Sequence, residues 1–266
     1  MKTSNAIPVV NTGAVGASEQ KRSSRRRRFL KYGMIGSAFL LSGVFVANWL
    51  WLISGSNQWE LKIDEDGTQV YTLKTPGSSM LKIKGVTQSN EFTLSNHLAP
   101  FLDESIQDDN CGEWVAGCTR YEILKPWDPQ TQYNVTMWTI SLFEPFAPRE
   151  FLLQGHLSQD PKTKVVTLEN IAVPNKAPLN DCCLRLTHVH NVWTYTPLGD
   201  GTIKVEFVSD FDMGGAFPRF LLNLGGPSEI HKMLTVDNPQ LLRQEKYRNA
   251  VLDFIDEGRG DAVAKN

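Results

Sequence analysis

Alternation of apolar and polar positions dominates the chain from Trp59 onward. Trp59-Glu60-Leu61-Lys62-Ile63-Asp64 alternates, Asp66-Gly67 turns, and Thr68 to Lys74 alternates again, which is the signature of a β-hairpin. A third strand is predicted over Met80–Val86. Residues 91–115 lose the period of two and space their apolar positions at Phe92, Leu94, Leu98, Phe101, Leu102 and Ile106, so one or two short helices are predicted, broken or bent at Pro100. Strands resume over Thr119–Leu124, Gln132–Leu142, Glu150–His156, Lys164–Ile171, Cys183–Tyr195 and Thr202–Asp212. The last two are joined by Pro197-Leu198-Gly199-Asp200-Gly201. From Phe217 the spacing turns helical, interrupted at Gly225-Gly226-Pro227 and at Asn238-Pro239. About nine strands in a meander, with helices after the third and at the end, predict one α+β domain over 57–257. A polar tail follows over 258–266.

The pattern before Trp59 is different in kind. No Asp, Glu, Lys, Arg or His occurs from Tyr32 to Gln58, and the apolar part runs to about Ile53. At ~1.5 Å per residue, about 22 residues span a ~30 Å hydrocarbon core. A secretory apolar region is shorter, and Phe45-Val46-Ala47 puts a bulky residue where signal cleavage wants a small one. Trp49 and Trp51 sit at the far end, where indoles favour the headgroup boundary. Residues 32–55 therefore predict a transmembrane anchor or uncleaved signal.

Charge sharpens this division. Residues 1–31 carry eight basic side chains against Glu19, including the run Arg25-Arg26-Arg27-Arg28, and the chain beyond Lys31 keeps 19 basic and 28 acidic residues, a net charge of −9. An acidic body repels phosphate backbones, so nucleic acid is excluded as a partner. The basic block is then a cytoplasmic tail over 1–31, placing the rest across an inner membrane in the periplasm. Arg26-Arg27-Arg28-Phe29-Leu30-Lys31 also resembles the twin-arginine export motif, with Arg25 standing where Ser or Thr is usual.

Few residues carry recognisable chemistry. Four cysteines allow three full pairings. Cys111 and Cys118, seven apart, could bridge in an oxidising compartment, Cys182 and Cys183 are vicinal, and free thiols are the alternative. His188 and His190 share a strand face, with no Cys, Asp or Glu at a matching spacing to complete a metal site. No nucleophile elbow, phosphate loop or zinc helix occurs in the sequence. Neither a cofactor nor a metal is expected.

Read in order, several short segments resemble one family. Asp64-Glu65-Asp66-Gly67-Thr68-Gln69-Val70-Tyr71 is similar to its opening hairpin, and Cys111-Gly112-Glu113-Trp114-Val115 to its helix end before the fourth strand. Phe143-Glu144-Pro145-Phe146-Ala147-Pro148-Arg149-Glu150-Phe151 resembles its P-x-P-x-x-R-[DE]-F loop. Leu184-Arg185 and the stretch Trp193 to Gly201 follow. Asp212 to Asn223 is similar to D-x-G-G-x-x-P-x-x-L-x-N, with Met213 where Pro is usual. These are motifs of the START domains, the StAR-related lipid-transfer family with a helix-grip fold, and the resemblance covers nearly all of 57–257.

The resemblance implies a curved antiparallel sheet wrapped on a long C-terminal helix, with a tunnel between them for one sterol-like or phospholipid-like ligand. It implies lipid contact at Trp114, Arg185, Trp193, Phe217, Leu221 and Leu224, although Arg185 could equally form a structural ion pair. The moving wall is then the loop bearing Phe143, Pro145, Phe146 and Pro148, which could dip into a membrane or cap the core, together with the helix, hinged at Gly225 and Gly226. Two other functions are open. One is an enzyme working in the same cavity, for which Glu122, Asp210 and His188 are nominal acids or bases; the other is a lipid sensor that docks a protein.

Overall fold

The computed structural model describes Tyr32 and residues 42–258. Residues 42–53 are helical (α1). The rest of the expected anchor, the basic tail over 1–31 and all but the start of the polar tail lie outside the described residues. Among the described residues no helix is long and apolar enough to cross a membrane. The chain divides into two units between Ile53 and Ser54, and the sheet belongs to the second.

The strands are β1 Trp59–Glu65, β2 Thr68–Lys74, β3 Leu81–Ser89, β4 Cys118–Asp128, β5 Tyr133–Ile140, β6 Arg149–Gln159, β7 Val166–Ala172, β8 Leu184–Arg185, β9 His190–Pro197 and β10 Ile203–Ser209. They form one sheet in the order β1-β2-β3-β10-β9-β7-β6-β5-β4. Every pair on that path is antiparallel; β8 lies off it and runs parallel to β6.

Two strand expectations need correction. The single strand predicted over Cys183–Tyr195 is two strands. Leu184 and Arg185 pair with Arg149 and Glu150 of β6, whereas His190 to Tyr195 pair with β7, and one straight strand cannot serve both partners. The strand predicted to stop at Leu124 runs on through Pro126 to Asp128. β4 ends the sheet, and an edge strand tolerates a proline because one side of its backbone needs no partner. Its pairing shifts register at Ile123/Lys125 and Lys125/Asp128. The opposite edge, β1, is also irregular at Leu61/Ile63, a feature that discourages edge-to-edge association.

Between β3 and β4 a five-residue helix, α2 (Leu94–Leu98), passes into a 3-10 turn at Ala99–Leu102, with Pro100 in its first positions. Thr93 and Asn96 form a reciprocal capping box, and the Glu257 carboxylate accepts from the Leu94 and Ser95 N–H groups. All the first donors of α2 are thereby satisfied, two of them from the far end of the chain.

After β10 the chain runs through α3 (Arg219–Lys232), a π-helical turn at Met233–Asp237 and α4 (Asn238–Leu242) before α5 (Glu245–Arg248). The expected interruption at Gly225-Gly226-Pro227 does not occur; α3 contains all three residues. A Cβ on Gly226 would stand 2.4 Å from Ile83 Cδ1, so this glycine serves close contact with β3. Gly85 is its counterpart on the sheet: a Cβ there would meet Leu234 Cδ1 at 2.4 Å and Ile230 Cγ2 at 2.8 Å. Asn223 ties helix to strand, accepting from Leu81 N–H and donating to the Ser79 carbonyl.

Candidate functional site

Period-two alternation assigns each strand residue to one of two faces. Val135, Met137 and Leu152 form a small cluster with Tyr133, Val173 and Ala177 on one face. The opposite face carries Leu157, Val166, Leu168, Trp193, Tyr195, Ile203, Val205 and Phe207, which join Leu94, Leu98 and Leu234 in the main core. That core does not fill the space beneath the helices. A cavity of about 420 Å³ remains, within the usual range for a small-molecule pocket.

Its walls come from β4 to β7, β9, β10, the segment between β3 and β4 and the C-terminal helices. Phe101, Leu102 and Ile106 contribute from the segment after α2, Trp114 from beyond the 3-10 turn Cys111–Glu113, and Ile230, Met233, Leu241 and Leu242 from the C-terminal helices. Tyr121 and Trp138, directly opposite on β4 and β5, meet with ring centroids 4.3 Å apart and planes tilted by 56°. Trp193 lies between Phe207 at 4.2 Å and Phe101 at 5.7 Å.

Polar atoms are few and treated unevenly. Trp138 donates to Thr136 Oγ1 at 3.2 Å. His97 sits against Phe92 and Tyr195, and burial lowers its pKa to about 4, so the ring is neutral at neutral pH. Among the described residues, neither His97 Nε2 nor Trp127 Nε1 has a hydrogen-bond partner, and no Lys or Arg lines the cavity. The acids at its border, Glu113, Glu229 and Asp237, are solvent-exposed.

A sheet closed over by a C-terminal helix around one cavity has known counterparts. The chain matches the StAR-related lipid transfer protein (fragment 25–204) of Xanthomonas axonopodis with a TM-score of 0.59 and 20% identity, over 70% of this chain and 99% of that one. This is the helix-grip fold of the START domains. Human STARD10 matches with a TM-score of 0.60 and 12% identity, over 73% of this chain and 77% of that one. The lipid transfer and protein localization domain of human StarD13 matches with a TM-score of 0.57 and 16% identity, over 77% and 97%. In sequence, an uncharacterized protein of Pseudomonas aeruginosa is 25% identical over 174 residues, 63% of this chain and 79% of the relative. No protein-family model matches the chain.

Within this START fold, the residues singled out from sequence fall into three places. Trp114 and Trp193 line the cavity; Arg185, Phe217, Leu221 and Leu224 do not. Arg185 is buried against Glu150. It donates to that carboxylate and to the carbonyls of Pro174, Ala177 and Pro178, so the ion-pair alternative is the one the geometry gives it. Phe217 is buried in an aromatic cluster with Phe146 at 5.0 Å and Phe143 at 6.2 Å. Pro145 follows a cis peptide bond in the same loop. Arg149 holds the base of this loop, donating to the carbonyls of Ala147 and Met213. Leu221 and Leu224 point outward from α3, with Gly225 and Gly226 inside the helix.

Cys111 and Cys118 are bridged, with Cα atoms 5.6 Å apart, and Cys182 and Cys183 are bridged to each other. The nominal acids and bases lie elsewhere. His188 pairs with Asp210 at 2.8 Å, His190 with Glu169 at 2.6 Å and Glu122 with Arg120 at 3.3 Å; none of these lines the cavity.

Sequence reasoning missed Asn134, Gly155, Asn170 and Asn191, all of them on the cavity wall. A signal was present. Asn134 shares parity with Thr136 and Trp138, Asn170 with Val166 and Leu168, and Asn191 with Trp193 and Tyr195. Each is an amide at a core-facing position of its strand.

Proposed function

We propose that the chain binds a single lipid in this cavity and carries or presents it at a membrane surface. The observation that carries the reading is an aromatic- and aliphatic-walled cavity beneath the C-terminal helices of a START fold, with no cationic side chain of the described residues on its wall. The physical need is large. Each CH₂ exposed to water costs about 0.8 kcal/mol, so a ~16-carbon chain costs on the order of 13 kcal/mol outside an apolar box. The comparison proteins named as lipid transfer proteins share this fold, which supports the same reading here.

Membrane contact is part of the proposal. Phe143 is 58% exposed, Phe220 60% and Leu224 75%, and neighbouring apolar groups left in water mark an interaction surface more often than chance. The Phe143–Pro148 loop and α3 form the movable wall, with Gly225 and Gly226 as the place where the helix would flex. The N-terminal segment is the tether, holding the domain on the periplasmic side of an inner membrane, as its basic flank and uncharged run suggest.

Mass spectrometry of lipid extracted from the purified protein, with transfer between donor and acceptor vesicles, tests this. A lipid recovered unchanged and moved between vesicles is expected. Protein that is empty and moves no lipid would sink the reading, and a chemically altered lipid would replace transfer with catalysis.

A further inference from the structure

One row of the cavity floor is polar from strand to strand. Asn134 on β5 lies directly opposite Gly155 on β6, Gly155 opposite Asn170 on β7, and Asn170 opposite Asn191 on β9. Four neighbouring strands thus place three amides and a glycine in one line across the cavity wall. A Cβ on Gly155 would stand 2.5 Å from Asn134 Oδ1 and 3.0 Å from Asn170 Oδ1, so two amide oxygens lean in over this glycine from either side.

The ends of the row are partly occupied and the middle is not. Asn134 donates to the Phe101 carbonyl at 3.4 Å, and Asn191 accepts from Asp210 N–H at 3.3 Å. No hydrogen bond joins the Asn170 side chain to another described residue. Asparagine is an expensive choice for a core-facing position, since an amide withdrawn from water without partners costs on the order of 1–3 kcal/mol. His97 Nε2 on α2 and Trp127 Nε1 on β4 also line the cavity without a hydrogen-bond partner among the described residues.

The charge around the row narrows what can complete it. With no Lys or Arg of the described residues on the wall and His97 neutral, a phosphate or carboxylate head would lose its water without gaining a counter-charge. A hydroxyl or amide N–H can donate to the two converging oxygens, and the same head can accept from the Asn170 amide. We propose that the row Asn134-Gly155-Asn170-Asn191 reads the ligand's head, and that the ligand is a lipid with an uncharged head bearing a hydroxyl or amide, seated over Gly155. The proposal rests on the lipid-binding reading above and specifies its ligand.

The test uses the full-length chain and three probes: pyrene as a headless hydrocarbon, and monooleoylglycerol and oleoyl lysophosphatidate as two lipids of one chain that differ by a phosphate. Pyrene fluorescence reports filling of the cavity, and the two lipids compete for it. Monooleoylglycerol is expected to displace pyrene at least ten-fold more effectively than the phosphate. Asn170→Leu is expected to lower monooleoylglycerol affinity about ten-fold, the cost of one buried hydrogen bond, while pyrene affinity does not fall. Retained pyrene binding also shows that the variant is folded; Asn170→Ser takes its place otherwise. Equal competition by the two lipids, or an Asn170 change that weakens pyrene equally, overturns the head assignment and leaves lipid binding standing. Failure of pyrene and both lipids to bind removes the lipid-binding reading, and the head assignment with it.

Discussion

Polar side chains are drawn away from bulk water in two regions of this molecule, and the two are satisfied to different degrees. Around Arg149, Glu150 and Arg185 the guanidinium donors are answered, while Glu150 Oε2 lacks a partner among the described residues. Arg185 holds Glu150 and three carbonyls, and Arg149 holds the carbonyls of Ala147 and Met213. In the cavity the donors and acceptors of Asn170, His97 and Trp127 are left open. A satisfied polar cluster specifies how the chain folds, whereas an unsatisfied one facing a void is held ready for something else.

The largest effect should come from breaking the finished cluster. Glu150→Leu leaves the buried Arg185 guanidinium without its carboxylate and is expected to destabilise the fold by about 3–5 kcal/mol, read from urea unfolding midpoints. An unchanged midpoint would mean that the three carbonyls alone hold Arg185, and the contrast between the two regions would weaken.

Next is a charge forced onto the unfinished side. The pKa of His97 is lowered to about 4 in the folded chain against an ordinary 6.5. The unfolded chain therefore takes up the proton first, and stability falls as pH drops from 6.5 to about 4, then levels off. The loss is about 3 kcal/mol. Urea unfolding of the wild type and of His97→Gln across this window should converge as pH falls; parallel curves would show that His97 protonates freely in the fold.

Gly85→Ala asks how tightly the helix closes the cavity. The added methyl meets Leu234 and Ile230 at less than 3 Å and should cost about 1–3 kcal/mol of thermal or urea stability. A neutral result would mean that α3 shifts outward easily, as a movable wall must.

The smallest change in stability, under about 0.5 kcal/mol, is expected from Phe143→Ser combined with Leu224→Ser, since both side chains are exposed. Vesicle transfer should nevertheless slow several-fold while lipid affinity in solution holds. Equal transfer rates would remove these residues from the membrane contact.

Much of the domain was readable because its signals are local. The β1–β2 hairpin and the sequence order of the strands depend on residues near one another, and alternation records which face each strand buries. Boundaries failed where a partner distant in sequence decides. β8 separates from β9 because Leu184 and Arg185 meet β6, and α3 passes through Gly225-Gly226-Pro227 because Gly226 lies against Ile83.

The site shows the same division more sharply. By itself the sequence determined that Asn134, Asn170 and Asn191 face the buried side, because the period of two is a property of each strand alone. It could not show that they stand in one line beside Gly155, or that Arg185 is turned away from the cavity into a cage of carbonyls. Register between strands and the closure of loops onto one arginine are set by contacts that exist only once the sheet is assembled. Only the tertiary structure decides which polar group is spent on the fold and which is left facing the cavity.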